Sequence, residues 1–100
     1  MEQAKRQAVV DLSAKRRLCV LEADSRTAAV VRDICLRSAF LATSQRPPLG
    51  ATVALHHGDG GTVHGRVSAH AAEGIAVALP GDSRAAGFAL AVIAAGMGRT

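Results

Sequence analysis

Apolar and polar residues alternate in short runs along most of this chain, a pattern typical of strands with one buried face. Clusters of Asp, Ser, Gly and Pro separate the runs and are typical of turns. Proline cannot donate a hydrogen bond to a strand ladder, so Pro47 and Pro48 end the third run. The six strand-like runs cover residues 18–23, 27–31, 38–43, 52–57, 63–69 and 75–79. The pattern predicts an all-β domain, and six antiparallel strands are enough to close a small β-barrel.

The hairpin between the fourth and fifth runs has a register that its apolar residues decide. A two-residue loop would place Leu55 opposite the polar His64, whereas a three-residue loop over residues 58–60 places Leu55 opposite Val63. The longer loop is favoured, and it needs a left-handed residue at its third position, which Gly60 supplies at no steric cost. The alternating apolar residues of the last three runs are the predicted core: Val53, Leu55, Val63, Val67, Ile75 and Val77.

A helical pattern replaces this alternation after the sixth run. Asp82 or Ser83 can accept hydrogen bonds from the free amides of a first helical turn, and apolar residues such as Phe88 and Val92 follow at helical spacing. Glycine favours helix ends, so Gly96 is the expected stop. The sequence therefore predicts a C-terminal α-helix over residues 82–96 that packs on one face or one end of the barrel.

The composition limits what kind of site the chain can build. Hydrophobic residues make up 49% of the 100 residues, but 21 of these are alanine and the aromatic ones are two phenylalanines. Such a thin aliphatic core leaves little room for a deep catalytic cleft. No nucleophile elbow, zinc-binding helix or phosphate-binding loop occurs, and His56 and His64 lack a third metal ligand at suitable spacing. The sequence predicts a binding module and not an enzyme, with no catalytic residue, metal site or cofactor.

The net charge of the chain is +4, and all of the excess lies in the first half. Residues 1–50 carry nine Lys or Arg and five Asp or Glu, whereas residues 51–100 carry three of each. This asymmetry suggests an anionic partner: a nucleotide, a nucleic acid or a membrane surface. The scarcity of aromatic side chains disfavours single-stranded nucleic acid, and no DNA partner is expected. The uncharged stretch of residues 85–98 is too short to cross a bilayer, so no membrane insertion is expected.

The two cysteines give an indication of the cellular compartment in which the protein works. Cys19 and Cys35 have neither the spacing of a zinc site nor the number of a disulfide framework, so we expect two buried free thiols. No apolar run of the kind that opens a secretory signal follows Met1. Both observations favour a cytoplasmic location.

Three segments, at residues 30–41, 49–55 and 73–79, share the order and spacing of the conserved pieces of a known family. They resemble the PilZ domain family, whose members show a D-x-S-x-x-G motif that leads into a strand, then a strand that begins at Gly, then a strand that opens with a Gly-Ile-like pair. The resemblance covers roughly residues 8–79. It implies a six-stranded barrel that, in many members, receives the bacterial second messenger cyclic di-GMP.

In that family, the Asp and Ser of D-x-S-x-x-G hydrogen-bond a guanine edge. The resemblance places the Asp, Ser and Gly of the motif at Asp33, Cys35 and Ser38. Cysteine is a weak donor and acceptor, so one contact to the base is diminished. Serine reaches a positive φ less readily than glycine, so we expect the turn geometry to differ as well.

An arginine pair, R-x-x-x-R, on a mobile N-terminal arm holds the phosphates and stacks on the guanines in the same family. The resemblance puts these two positions at Gln3 and Gln7, and no R-x-x-x-R occurs anywhere in this chain. Lys5 and Arg6 lie between them and supply charge without the paired guanidinium forks. The nucleotide-binding residues that the resemblance implies are Lys5, Arg6, Asp33, Cys35 and Ser38.

The sequence predicts one domain over residues 1–100, with a mobile basic arm over 1–13, a PilZ-like barrel over 14–80 and the helix over 82–96. The resemblance implies a regulatory receptor module in cyclic di-GMP signalling, with nucleotide binding weakened by the altered motifs and with an unidentified partner protein. Two alternatives stay open. The barrel could act only as a protein docking module that no longer binds nucleotide, or as a small basic RNA-binding barrel, which the missing aromatic side chains disfavour.

Overall fold

The computed structural model describes residues 18–97, and these form six strands and one helix. The strands are β1 (Leu18–Glu22), β2 (Arg26–Ile34), β3 (Ser38–Ala42), β4 (Thr52–His57), β5 (Gly61–His70) and β6 (Gly74–Ala78). The helix, α1, spans Ser83–Met97. The predicted fold, a small six-stranded antiparallel β-barrel with a C-terminal α-helix, is confirmed. The predicted arm over residues 1–13 lies outside the described residues.

Pairing between β1 and β4 closes the barrel. The strand order is β1-β2-β3-β6-β5-β4, and β1 completes the ring where Leu21 pairs with Leu55 of β4. The chain crosses from β3 to β4 through the loop that contains the two prolines. Arg46 holds this loop in place, because its guanidinium donates hydrogen bonds to the backbone oxygens of Thr43 and Ala72. Each of the six described strands therefore has a neighbour on both sides, and closure of this kind removes exposed sheet edges.

Aliphatic side chains from all six strands fill the interior. The six predicted core residues are buried, with at most 2% of each exposed: Val53, Leu55, Val63, Val67, Ile75 and Val77. Helix α1 adds Phe88 and Val92, which are fully buried. It contacts β2 and β5, which lie on opposite sides of the ring, so the helix covers one end of the barrel.

The β4–β5 hairpin has the predicted register, with Leu55 opposite Val63. The left-handed residue, however, is Gly61, with a φ of 76°, and the expectation for Gly60 is wrong. The reason is the buried His57, whose Nδ1 accepts hydrogen bonds from the backbone N–H groups of Asp59 and Gly60, both at 3.2 Å. The N–H groups of two successive loop residues thus share one acceptor, and the positive φ falls at the next residue, Gly61.

The start of α1 follows the prediction, and its end does not. The Oδ1 atom of Asp82 accepts a hydrogen bond from the backbone N–H of Ala85 at 3.0 Å and so caps the first turn. The helix continues through Gly96 to Met97, so this glycine does not end it. A glycine inside a helix costs only about 1 kcal/mol relative to alanine, and no proline follows to force a stop. None of the described residues forms a helix that is long and apolar enough to cross a membrane.

We expect Leu55→Ala to lower the free energy of unfolding by about 2 to 5 kcal/mol, because truncation of a fully buried leucine leaves a cavity in a thin core. Urea denaturation followed by circular dichroism measures this change. Leu90→Ala is the matched control, since 68% of Leu90 is exposed, and it should cost less than about 0.5 kcal/mol. Equal losses for the two variants would contradict the observed packing.

Candidate functional site

A β-bulge in β2 sets the position of the residues that the PilZ resemblance singled out. The register between β2 and β3 shifts between Val31 and Asp33, after which Asp33 pairs with Phe40. The sequence pattern ended this strand at Val31, but the bulge lets it continue to Ile34, which is buried. The two residues that flank Ile34, Asp33 and Cys35, consequently face the outside of the barrel.

A tight turn then joins β2 to β3. The backbone N–H of Cys35 donates to the carbonyl oxygen of Ser38 at 2.8 Å, and the Sγ of Cys35 lies 3.4 Å from the Oγ of Ser38. None of the described residues other than glycine has a positive φ, so Ser38 closes this turn without left-handed backbone. The serine in the glycine position of the motif therefore sits in this turn without left-handed strain.

The turn and the adjacent strands form a shallow recess of about 120 Å³ on the outer face of the barrel. We call it the motif recess, and its lining residues are Asp33, Ile34, Cys35, Ser38, Ala39, Phe40 and Ala76. Three of the five predicted site residues, Asp33, Cys35 and Ser38, thus lie together on one surface. The other two, Lys5 and Arg6, lie outside the described residues.

Phe40 and Ala76 line the motif recess although sequence reasoning did not select them. They pair with each other across β3 and β6, and both are partly exposed on the outer face. The strand alternation around the buried Leu41 could have placed Phe40 outside. No signal in the sequence brings Ala76, 36 positions further along, to the same recess, because only the β3–β6 pairing does so.

The two cysteines differ in environment. Cys19 is buried as expected, and burial raises the pKa of its thiol to about 11. Cys35 is exposed, which corrects the expectation of a second buried thiol: Ile34 takes the inward position, so its neighbour must face outward. The hydroxyl of Ser38 lowers the pKa of Cys35, and hydrogen bonds from the backbone of Arg37 and Ser38 lower it further.

The acid and base groups of β1, β4 and β5 form a separate cluster on the barrel wall. His56 lies between Glu22 and Thr62: its Nε2 is 2.7 Å from Oε1 of Glu22 and its Nδ1 is 2.8 Å from Oγ1 of Thr62. The hydrogen bond from His56 lowers the pKa of Glu22, and the nearby charges of Arg26 and His64 lower it further. No three His, Cys, Asp or Glu side chains within residues 18–97 are arranged to hold a metal ion. The cluster links three strands and lies away from the motif recess.

Comparison of the chain with protein-family models, with curated proteins and with solved structures gives no match. A closed six-stranded barrel supports many different functions, so the fold alone does not identify a ligand. The function is therefore inferred from the residues and the geometry of the outer face.

We expect Cys35 to be alkylated by iodoacetamide in the native protein and Cys19 to react only after unfolding. The thiolate is the reactive form, and its fraction near neutral pH is raised at Cys35 and suppressed at Cys19. Mass spectrometry of alkylated peptides over a pH series measures both rates. Ser38→Ala should move the pH dependence of the Cys35 reaction upward, because it removes the largest cause of the lowered pKa. Similar native rates for the two cysteines would contradict this assignment.

Proposed function

We propose that this chain is a regulatory receptor module for cyclic di-GMP, as the PilZ resemblance implies, with nucleotide contacts weaker than that family's full motifs would provide. The observation that carries the proposal is the motif recess, where Asp33, Cys35 and Ser38 lie side by side on an open face of the barrel. The proposal includes a cytoplasmic location and a partner protein that reads the ligand-bound surface.

Asp33 supplies the most specific contact in this proposal. It is exposed, and within residues 18–97 its carboxylate has no hydrogen-bond or ion-pair partner. The two oxygens of a carboxylate can accept the N1–H and the amino group of a guanine edge together. An unpaired carboxylate next to the half-buried ring of Phe40 thus offers a hydrogen-bonding edge and an apolar surface for a base.

The affinity for cyclic di-GMP is weakened because the groups that accompany Asp33 are poor or missing hydrogen-bond partners. The Cys35 thiol is a poor substitute for a hydroxyl, and it already contacts the Ser38 hydroxyl, so a ligand must compete with that contact. Hydrogen bonds to charged groups contribute about 1.5 to 3 kcal/mol each. Absence of both N-terminal arginine forks therefore corresponds to a loss of roughly two to four decades of affinity.

A docking module without nucleotide is the second candidate, and one feature of α1 favours it. Leu90 is 68% exposed and Ile93 is 38% exposed, and no charged residue occurs in the sequence between Arg84 and Arg99. An uncharged helix face with exposed large apolar side chains is typical of a surface that meets another protein. This face lies on the helix, apart from the motif recess, so the two candidates can be tested separately.

Isothermal titration calorimetry with cyclic di-GMP separates these candidates. A dissociation constant in the micromolar range is expected for the receptor, and Asp33→Ala should weaken it by about 10-fold or more because the guanine edge loses its acceptor. Asp24→Ala removes another exposed carboxylate, in the β1–β2 turn, and is the control. No heat of binding at millimolar cyclic di-GMP would contradict the receptor proposal and leave the docking module as the function. Retention of an RNA homopolymer with a steep salt dependence would instead support the RNA-binding alternative.

We further expect Gln3→Arg and Gln7→Arg, combined with Cys35→Ser and Ser38→Gly, to strengthen cyclic di-GMP binding. The arginine pair should contribute the larger share, because phosphate contacts are charge-assisted while the serine adds one neutral hydrogen bond. Calorimetry on the arginine pair alone, on the Cys35 and Ser38 pair alone and on all four together separates the shares. If the fourfold variant folds by circular dichroism but binds no better than the parent, the proposed alignment or the proposed ligand is wrong.

A further inference from the structure

A second depression, of about 390 Å³, lies on the outer face of the barrel on the other side of β6. We call it the β5–β6 groove, and its lining residues are Thr52, His64, Gly65, Arg66, Ala78, Leu79 and Pro80. Arg66 is the positively charged residue of this lining and is exposed.

The β5–β6 groove adjoins the motif recess through a pair of neighbouring residues. Ser38 pairs with Ala78 across β3 and β6, and Ala78 pairs with Arg66 across β6 and β5, so the three residues form one row. All three are exposed, which puts the row on the outer face. Neighbouring strands are about 4.8 Å apart, so Ser38 and Arg66 are separated by roughly 10 Å. Ala78, whose side chain is a single methyl group, is the residue between them in this row.

Two guanidinium groups flank this path. Within residues 18–97, the Arg66 side chain has no hydrogen-bond or ion-pair partner. Arg37 belongs to the turn beside the recess, and its carbonyl oxygen accepts a hydrogen bond from the backbone N–H of Leu79 at 2.8 Å. Its side chain lies over Gly81, with Nη1 3.0 Å from where a Cβ on that glycine would be. The two arginines thus approach the same end of β6 from opposite sides.

No ion pair joins either arginine to a nearby acidic group in the described part of the chain. Asp82 follows Gly81, but its Oδ1 caps helix α1. Asp33 lies at the far side of the motif recess, where a base edge would bind. Arg37 and Arg66 are therefore the two arginines beside this path, and neither is in an ion pair within residues 18–97.

We propose that Arg66, with Arg37, binds the phosphate groups of a nucleotide whose base lies in the motif recess. Guanidinium groups match phosphate with paired hydrogen bonds, and Arg66 lies about 10 Å from Ser38, at the near side of the motif recess. The identity of the ligand rests on the proposed function, whereas the anion-binding groove does not. These arginines supply from the barrel the contacts that the N-terminal sequence lacks.

The test is a titration of the isotopically labelled protein with cyclic di-GMP, and separately with inorganic pyrophosphate, followed by two-dimensional NMR of the backbone amides. We expect shifts at the amides of Gly65, Arg66, Ala78 and Leu79 with both probes. Arg66→Ala should weaken binding about 10- to 100-fold, since it removes charge-assisted hydrogen bonds. Arg66→Lys should fall between the parent and Arg66→Ala, because a lysine keeps the charge but loses the paired geometry. Arg26→Ala is the control, since it removes the same charge from the β1–β2 side of the barrel.

The outcomes distinguish this inference from the proposed function. Equal weakening by Arg66→Ala and Arg26→Ala would show an effect of net charge only and would overturn the assignment of Arg66. Binding of cyclic di-GMP that Arg66→Ala leaves unchanged would overturn it while the receptor function stands. If cyclic di-GMP does not bind but pyrophosphate shifts the groove amides in an Arg66-dependent way, the receptor proposal fails and the anion groove is supported. No shift with either probe at about 10 mM would overturn both.

Discussion

The position of β6 between β3 and β5 is the constraint on which the rest of the structure depends. Two glycines permit it: a Cβ at Gly74 would collide with the backbone oxygen of Leu41, and a Cβ at Gly65 would lie 2.5 Å from the backbone oxygen of Ala78. Both contacts are with backbone, which cannot move aside as a flexible side chain does. Glycine at these positions lets three strands meet closely, and the ring can then close through β1 and β4. Strand β6, which comes late in the chain, is thereby inserted beside β3, which belongs to the first half.

This insertion creates the outer face on which both depressions lie. The motif recess is on the β3 side of β6 and the β5–β6 groove is on the other side, and the outward residues of β6 itself, Ala76 and Ala78, are small. The many alanines therefore make the outer surface of the barrel shallow and also make its core thin. A wall of short side chains leaves a shallow open path between polar groups, which suits a flat anionic ligand better than it suits a buried substrate.

The polar groups along this path can meet a ligand because other contacts turn them outward or hold their neighbours in place. The β2 bulge turns Asp33 and Cys35 outward while Ile34 fills the core, and the turn that follows is closed by backbone hydrogen bonding between Cys35 and Ser38. Asp82 is held by the helix it caps, and Glu22 is held by His56. Arg66 is left without an intramolecular partner in the described part of the chain, which is the property that an anion-binding residue requires.

The sequence by itself determined the strand content, the hairpin register at Leu55 and Val63, the helix cap at Asp82 and the inward-facing core. Each of these depends on local alternation, turn chemistry or capping, which a single sequence records. The resemblance to the PilZ family selected Asp33, Cys35 and Ser38, which are close in the chain. The left-handed Gly61 goes with hydrogen bonds from Asp59 and Gly60 to His57, which are local but are not recorded by hydrophobic alternation. Tertiary structure alone decided that Cys35 is exposed and that Ala76, Ala78 and Arg66 adjoin the motif. The bulge in the β2–β3 pairing and the pairing of β6 with both neighbours produced these results, and both are contacts between strands that no local pattern records.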